Sequence, residues 1–189
     1  MKTNPLEITT FTGRVIQLDK MELEDVDVRD IAHHHSLTCR HNGACHVFYS
    51  TADHCLDLVK VMLHKQFSDM PALKNTSHSD YLWALLHHAP ETYYGPPNPI
   101  TCSSMLQAHD LIVHVNRVVF RRFGLIGPDE PYFGPPPNVM LIAQKILEKE
   151  IEQIIKPLRD RESNASISIR EPIDAEVEFL DRFEQFHPA

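Results

Sequence analysis

The sequence predicts an all-α fold. Apolar residues recur at helical spacing in five separate segments, and no comparable stretch alternates with the period of a strand. Pro and Gly residues separate those segments, for example at Pro90, Gly124 and Pro157. The composition is that of a globular protein, with 42% apolar and 23% charged residues in a chain of 189. That length suits one domain with a sizeable core, so we expect a single domain over residues 1–189.

The first fifty residues are predicted to hold little regular structure. Residues 9–18 surround Gly13 and predict a short strand or hairpin. Residues 30–36 predict a brief helical turn, and residues 40–44 read as a loop because they contain an Asn-Gly turn signal.

Two central helices are expected next. Ser50 and Asp53 form a capping box at the start of a helix over residues 51–66. Its apolar positions are expected to face the core at Cys55, Val59, Met62 and Leu63. A second helix over residues 80–89, capped by Ser79 or Asp80, is apolar all round, which is typical of a buried helix.

Three more helices complete the predicted fold. They are expected at residues 104–123, from Pro137 or Asn138 to the residue before Pro157, and at residues 174–186. Gly124 is expected to end the helix at residues 104–123, and residues 163–168 are predicted to form a loop before the helix at residues 174–186. The last helix is expected to turn Val177, Leu180 and Phe183 inward.

The net charge and the cysteine spacing limit the partners and the cellular compartment that we expect. The formal net charge is −8 and no run of Lys or Arg occurs, so extended nucleic-acid binding is not expected, although a local pocket for one phosphate stays open. The four cysteines form no CxxC pair, which favours a reducing compartment. No leader peptide and no membrane span are recognised, so we expect an intracellular, cytoplasmic protein.

Histidine is the unusual residue of this chain. The sequence has 13, and most of them cluster between residues 33 and 54 and at His87-His88. Clustered histidine is typical of metal chemistry, because neutral imidazole is a common metal ligand.

The chain resembles a known family along nearly its whole length, from about Phe11 to Phe186. The segments DIAHHHSLTCRHNG, FYSTADHC, ALLHHAPETYYG, FRRFGL and FLDRF carry the likeness by their order and spacing. They resemble the HD-domain nucleotide phosphohydrolases, in particular the small phage and bacterial proteins related to 5′-deoxynucleotidases. The resemblance implies a helical bundle around a divalent metal ion.

The resemblance also implies roles for particular residues. His54 matches the first metal ligand of the family, His87 the histidine of its His-Asp pair, and Glu91 the catalytic acidic residue that follows. Arg40 matches an arginine that contacts substrate phosphate, and His41 and Asn42 beside it are expected to help bind substrate.

Other positions depart from the family pattern. His88 stands where the family has Asp, and the last metal Asp aligns with Ala143 or, after a one-residue slip, with Gln144. Pro96 replaces an Asp that assists catalysis. The remaining candidate ligands are therefore His54, His87 and His88, which suit a divalent transition metal such as Zn, Mn, Co or Fe if the site is occupied.

Three hypotheses follow from these losses. The first is a pseudoenzyme that serves as a binding module or subunit, with a protein partner or a second copy of itself. The second is an active metal-dependent phosphohydrolase of deoxynucleoside mono- or triphosphates that uses the three-His site, with Glu91 as acid/base and Arg40 on the phosphate. The third is nucleotide binding without hydrolysis. The three coordinated losses in one site favour the pseudoenzyme.

Overall fold

The computed structural model describes residues 6–65, 71–73, 76–95, 106–156 and 167–187, and these residues form a mostly helical protein. The all-α prediction is confirmed. The helices are α1 (Val28–Leu37), α2 (Thr51–His64), α3 (His78–Leu86), α4 (Glu91–Tyr94), α5 (Leu106–Arg122), α6 (Pro137–Glu150) and α7 (Pro172–Phe186). A π-helical turn, Ile151–Ile155, continues α6.

The described residues fall into two compact units. The first combines Met1–His34 with His88–Gly134 and contains α4 and α5. It also holds the predicted hairpin, in which β1 (Glu7–Thr9) pairs antiparallel with β2 (Val15–Gln17). Two short 3₁₀ turns after the hairpin, Leu18–Lys20 and Leu23–Asp25, pack on α5.

The second unit combines His35–His87 with Pro135–Ala189. Its helix α2 packs against α3, α6 and α7, and is buried along most of its length. The prediction of one domain over the whole chain stays a prediction. None of the described helices is long and apolar enough to cross a membrane.

The sequence signals predict the start of α2 correctly and that of α3 less well. Ser50 caps α2, and its hydroxyl accepts a hydrogen bond from the backbone N–H of Asp53, as the capping box predicts. Helix α3 begins two residues earlier than expected, because Ser77 caps it through the backbone N–H of Asp80. Ser79 and Asp80 are therefore not its N-cap.

The last helix shows a second difference from the prediction. Val177 is exposed, and Leu180 and Phe183 are only half-buried. The fully buried positions of α7 are Ala175, Phe179 and Phe186. Both sets have helical spacing, so periodicity alone cannot tell which of two neighbouring stripes faces the core.

Some predicted features lie outside the described residues. These are Pro96, the start of the helix expected at residue 104, and most of the loop expected at residues 163–168. The helix expected over residues 51–66 is shorter than predicted, because α2 ends at His64 and Lys65 after it adopts a left-handed conformation.

A buried polar network ties α2 to the segment that precedes α7. The carboxyl Oδ2 of Asp57 accepts hydrogen bonds from the Tyr49 hydroxyl at 3.1 Å and the backbone N–H of Ser168 at 2.9 Å. Arg170 donates to Asp53 at 3.1 Å and lies 3.7 Å from Asp57. Burial nevertheless dominates at Asp57 and raises the pKa of its carboxyl to about 6.

We expect Asp57 to make stability depend on pH. Its pKa rises from 3.8 to about 6 on folding, so its contribution is fully present below pH 3.8 and is lost as the pH rises through 6. The free energy of unfolding of wild type should therefore fall relative to that of Asp57→Asn, by up to about 3 kcal/mol between pH 4 and 7. Urea unfolding at several pH values measures this difference.

Asp181→Asn is the matched control, since Asp181 is an exposed aspartate of α7. A constant difference between wild type and Asp57→Asn over this pH range would contradict the expected role of Asp57.

Candidate metal centre

A fully buried carboxylate organises the polar site of the second unit. Glu150, the last residue of α6, has no solvent exposure. One of its oxygens accepts from the Arg40 Nε at 3.1 Å and is hydrogen-bonded to the His41 Nε2 at 2.7 Å. Its other oxygen is bound by the His54 Nδ1. Three side chains from two separate chain segments therefore converge on one carboxylate.

The position of Glu150 follows from the apolar pattern of α6. Val139, Ile142 and Ile146 are buried at helical spacing, and Glu150 is the next position on the same face. A carboxylate at a core position has to find compensating donors, because burying it unpaired costs several kcal/mol. Arg40 supplies a permanent positive charge for this purpose.

The loop that carries Arg40 has an unusual backbone. His41 and Asn42 both adopt left-handed conformations, with φ of 55° and 53°. Such a conformation costs a non-glycine residue energy, so the surrounding contacts have to hold it. Those contacts include the His41–Glu150 hydrogen bond and the backbone pairing of Cys39 with Ser50.

The hydrogen bonds of His54 and His87 fix the direction of their remaining ring nitrogens. A carbonyl oxygen only accepts, so the His87 Nδ1, 2.8 Å from the Ala84 carbonyl at the end of α3, carries its proton. The carboxylate of Glu150 assigns a proton to the His54 Nδ1 in the same way. In the neutral rings both Nε2 atoms are then lone-pair donors, and they lie 3.3 Å apart.

This arrangement fits a bound cation. Two nitrogen ligands at 2.0–2.1 Å from a tetrahedral zinc ion are separated by roughly 3.3–3.4 Å. The His54–His87 separation agrees with that value, and each ring has the Nδ1–H partner that commonly orients a metal-binding histidine. Two facing lone pairs repel each other unless a metal ion or a proton lies between them.

His88 completes the set of candidate ligands. It follows His87 directly in the chain, and one ring nitrogen of each of His54, His87 and His88 lies within 4.8 Å of the others. The His88 Nδ1 is hydrogen-bonded to the Glu91 carboxylate at 2.6 Å, which leaves its Nε2 as the ligand nitrogen. The three histidines predicted from the sequence are thus brought together.

The three predicted substrate-binding residues differ in their surroundings. Arg40 and His41 both bind Glu150, whereas Asn42 is exposed at the tip of its loop. Their role in binding substrate stays a prediction, as does the role of Glu91 as acid/base.

The aligned positions of α6 do not supply a carboxylate ligand. Neither Ala143, which is buried, nor Gln144, which is exposed, has a carboxylate. Glu150, which the apolar pattern places in the stripe of this helix but which is not among the predicted site residues, lies two helical turns beyond Ala143 and orients His54. The signal for it is its place in the buried stripe of α6, where a charged residue needs a partner.

Three further histidines and a cysteine precede α2 in the sequence. Among His33, His34 and His35 only His35 is fully buried, and it packs edge-on against Phe179. Burial raises the pKa of the Cys45 thiol to about 11, which favours the protonated, less nucleophilic form at neutral pH.

No protein-family model matches this chain. No curated protein matches it either.

We expect Glu150 to be the most sensitive polar position of the site. In Glu150→Ala the partly buried guanidinium of Arg40 loses this carboxylate. The free energy of unfolding should therefore fall by about 3–5 kcal/mol. Chemical denaturation of the metal-free protein measures this loss.

The matched control is Glu148→Ala on the same helix. Glu148 is exposed and pairs with Lys145, so its loss should cost less than about 1 kcal/mol. Equal costs for the two variants would contradict the organising role of Glu150.

Proposed function

We propose that this chain is an HD phosphohydrolase-like protein that holds a divalent transition metal ion through His54, His87 and His88 and acts as a binding module. The observation that carries the proposal is the pair of Nε2 atoms 3.3 Å apart, each on a ring whose Nδ1 is bound to an acceptor. Three imidazole nitrogens suit Zn, Co or Fe better than Mn, which prefers carboxylate ligands. A nucleotide or a protein partner is the expected ligand of the module.

The surroundings of the centre favour binding over hydrolysis. Phosphoryl transfer needs positive charge directed at the phosphate oxygens. Arg40 is the matching cation of the HD resemblance, and its Nε is bound to Glu150, whose negative charge offsets it. The three candidate ligands also include no carboxylate.

One observation favours a second candidate, an active phosphohydrolase of deoxynucleotides. The Glu91 carboxylate lies 2.6 Å from the His88 Nδ1, next to a proposed metal ligand, where it could hold or release a proton. A metal ion held by the three histidines would supply Lewis acidity for a water and a phosphate oxygen. In this candidate the three histidines would hold the metal ion and Glu91 would accept or release the proton.

The proposal predicts metal stoichiometry. Protein purified without chelator should contain one transition metal ion per chain by elemental analysis. His54→Ala and His87→Ala should each lower the affinity for metal by more than about 100-fold, because losing a direct ligand costs more than losing the residue that orients it.

His64→Ala is the matched control, since His64 is exposed at the end of the same helix α2. Metal-free wild type, or equal metal content in His54→Ala and His64→Ala, would refute the centre.

Catalysis is tested separately, with a panel of deoxynucleoside mono- and triphosphates and added Zn, Co or Mn. The binding-module proposal expects no phosphate release above the background of His87→Ala. Release that depends on His54, His87 and Glu91 would replace the binding module with the phosphohydrolase candidate.

A further inference from the structure

The first unit contains a cavity of about 650 Å³ whose polar lining is largely basic. Three basic residues of α5, His114, Arg117 and Arg121, line it. They are spaced three and four residues apart, so they lie within about 60° of one another on one face of the helix. No other feature of the described residues gathers cations in this way.

Some nitrogens of these side chains have no acceptor in the part of the chain that the structure describes. They are the His114 Nε2 and the Nε atoms of Arg117 and Arg121, and all three are buried from solvent. Buried polar atoms are almost always hydrogen-bonded, and a charged donor left without a partner costs more than a neutral one. The three side chains that line this cavity therefore carry donors that no described residue compensates, and an anion in the cavity would place negative charge beside them.

The remaining lining residues and the cavity volume limit the size and polarity of the ligand that fits. Met21, which precedes the second 3₁₀ turn, and Leu23, its first residue, line the cavity, and Val118 and Ile126 add further apolar surface. Gly124, with φ of 66°, follows α5, and residues of the loop after it also line the cavity. The volume lies within the usual range for small-molecule sites and is far too large for an inorganic anion alone.

The charge of the cavity lining indicates which class of ligand it would bind. Two guanidinium groups match the charge of a phosphate monoester, about −1.5 to −2 at neutral pH, and offer the forked geometry that phosphate oxygens accept. Glu22 also lines the cavity, where its carboxylate accepts the backbone N–H of Asp25, and its single negative charge leaves the two arginines in excess.

We propose that this cavity binds a small phosphorylated molecule, with Arg117 and Arg121 on the phosphate, His114 donating a further hydrogen bond, and the apolar wall against the organic part. The site does not use the three histidines of the metal centre and lies wholly within the first unit.

Isothermal titration calorimetry tests the proposal with AMP, ribose 5-phosphate and inorganic phosphate, and with adenosine as the uncharged probe. At least one phosphate ester should bind, and adenosine should bind much more weakly than AMP. Arg117→Gln and Arg121→Gln should each weaken binding roughly tenfold or more, the usual effect of losing a hydrogen bond to a charged group. Arg122→Gln is the matched control, since Arg122 is the exposed neighbour on the same helix and should bind as wild type does.

Two further measurements distinguish this cavity from the metal centre and from a purely structural role of its arginines. Binding should persist in His54→Ala, whereas binding that is lost in His54→Ala and kept in Arg117→Gln would place the ligand on the metal centre and overturn the proposal. Thermal unfolding without ligand should show Arg117→Met and Arg121→Met no less stable than wild type, because each substitution removes a buried donor that has no acceptor among the described residues. Failure of these variants to fold, or no binding of any phosphorylated probe to wild type, would also overturn it.

Discussion

The buried carboxylate of Glu150 is the interaction on which the polar site depends. It joins the end of α6 to the loop of Arg40 and His41 and to His54 on α2. In a medium of low dielectric constant these contacts are strong, but removing any one partner leaves the others uncompensated. The left-handed backbone at His41 and the orientation of the His54 ring are therefore parts of one arrangement.

This arrangement separates the carboxylate from the candidate metal ligands. Glu150 binds the Nδ1 of His54, so it orients a ligand and does not itself contribute an oxygen. The expected donor set is three neutral nitrogens, in contrast to the two histidines and two aspartates implied by the HD resemblance. Such a centre would carry two more positive charges and would favour metals that accept imidazole.

The arginines of the two units differ in whether they have a carboxylate partner. In the second unit Arg40 has a buried carboxylate partner, so little of its charge remains for a ligand. In the first unit Arg117 and Arg121 line a cavity, and their buried Nε atoms have no partner among the described residues. The sequence is acidic overall, and its formal net charge of −8 hides this local difference. A negative net charge is therefore compatible with a small, local anion site.

The sequence by itself determined the helical class, the hairpin around Gly13, the capping box at Ser50 and the three candidate histidines, because these depend on local spacing and capping chemistry. It did not determine which stripe of α7 is buried, or that Ser77 rather than Ser79 caps α3, since neighbouring registers satisfy the same local rules. Only the tertiary structure brought Glu150 to His54, across 96 positions of the chain. A partner for a buried charge is chosen by packing between helices, and no local pattern encodes that choice.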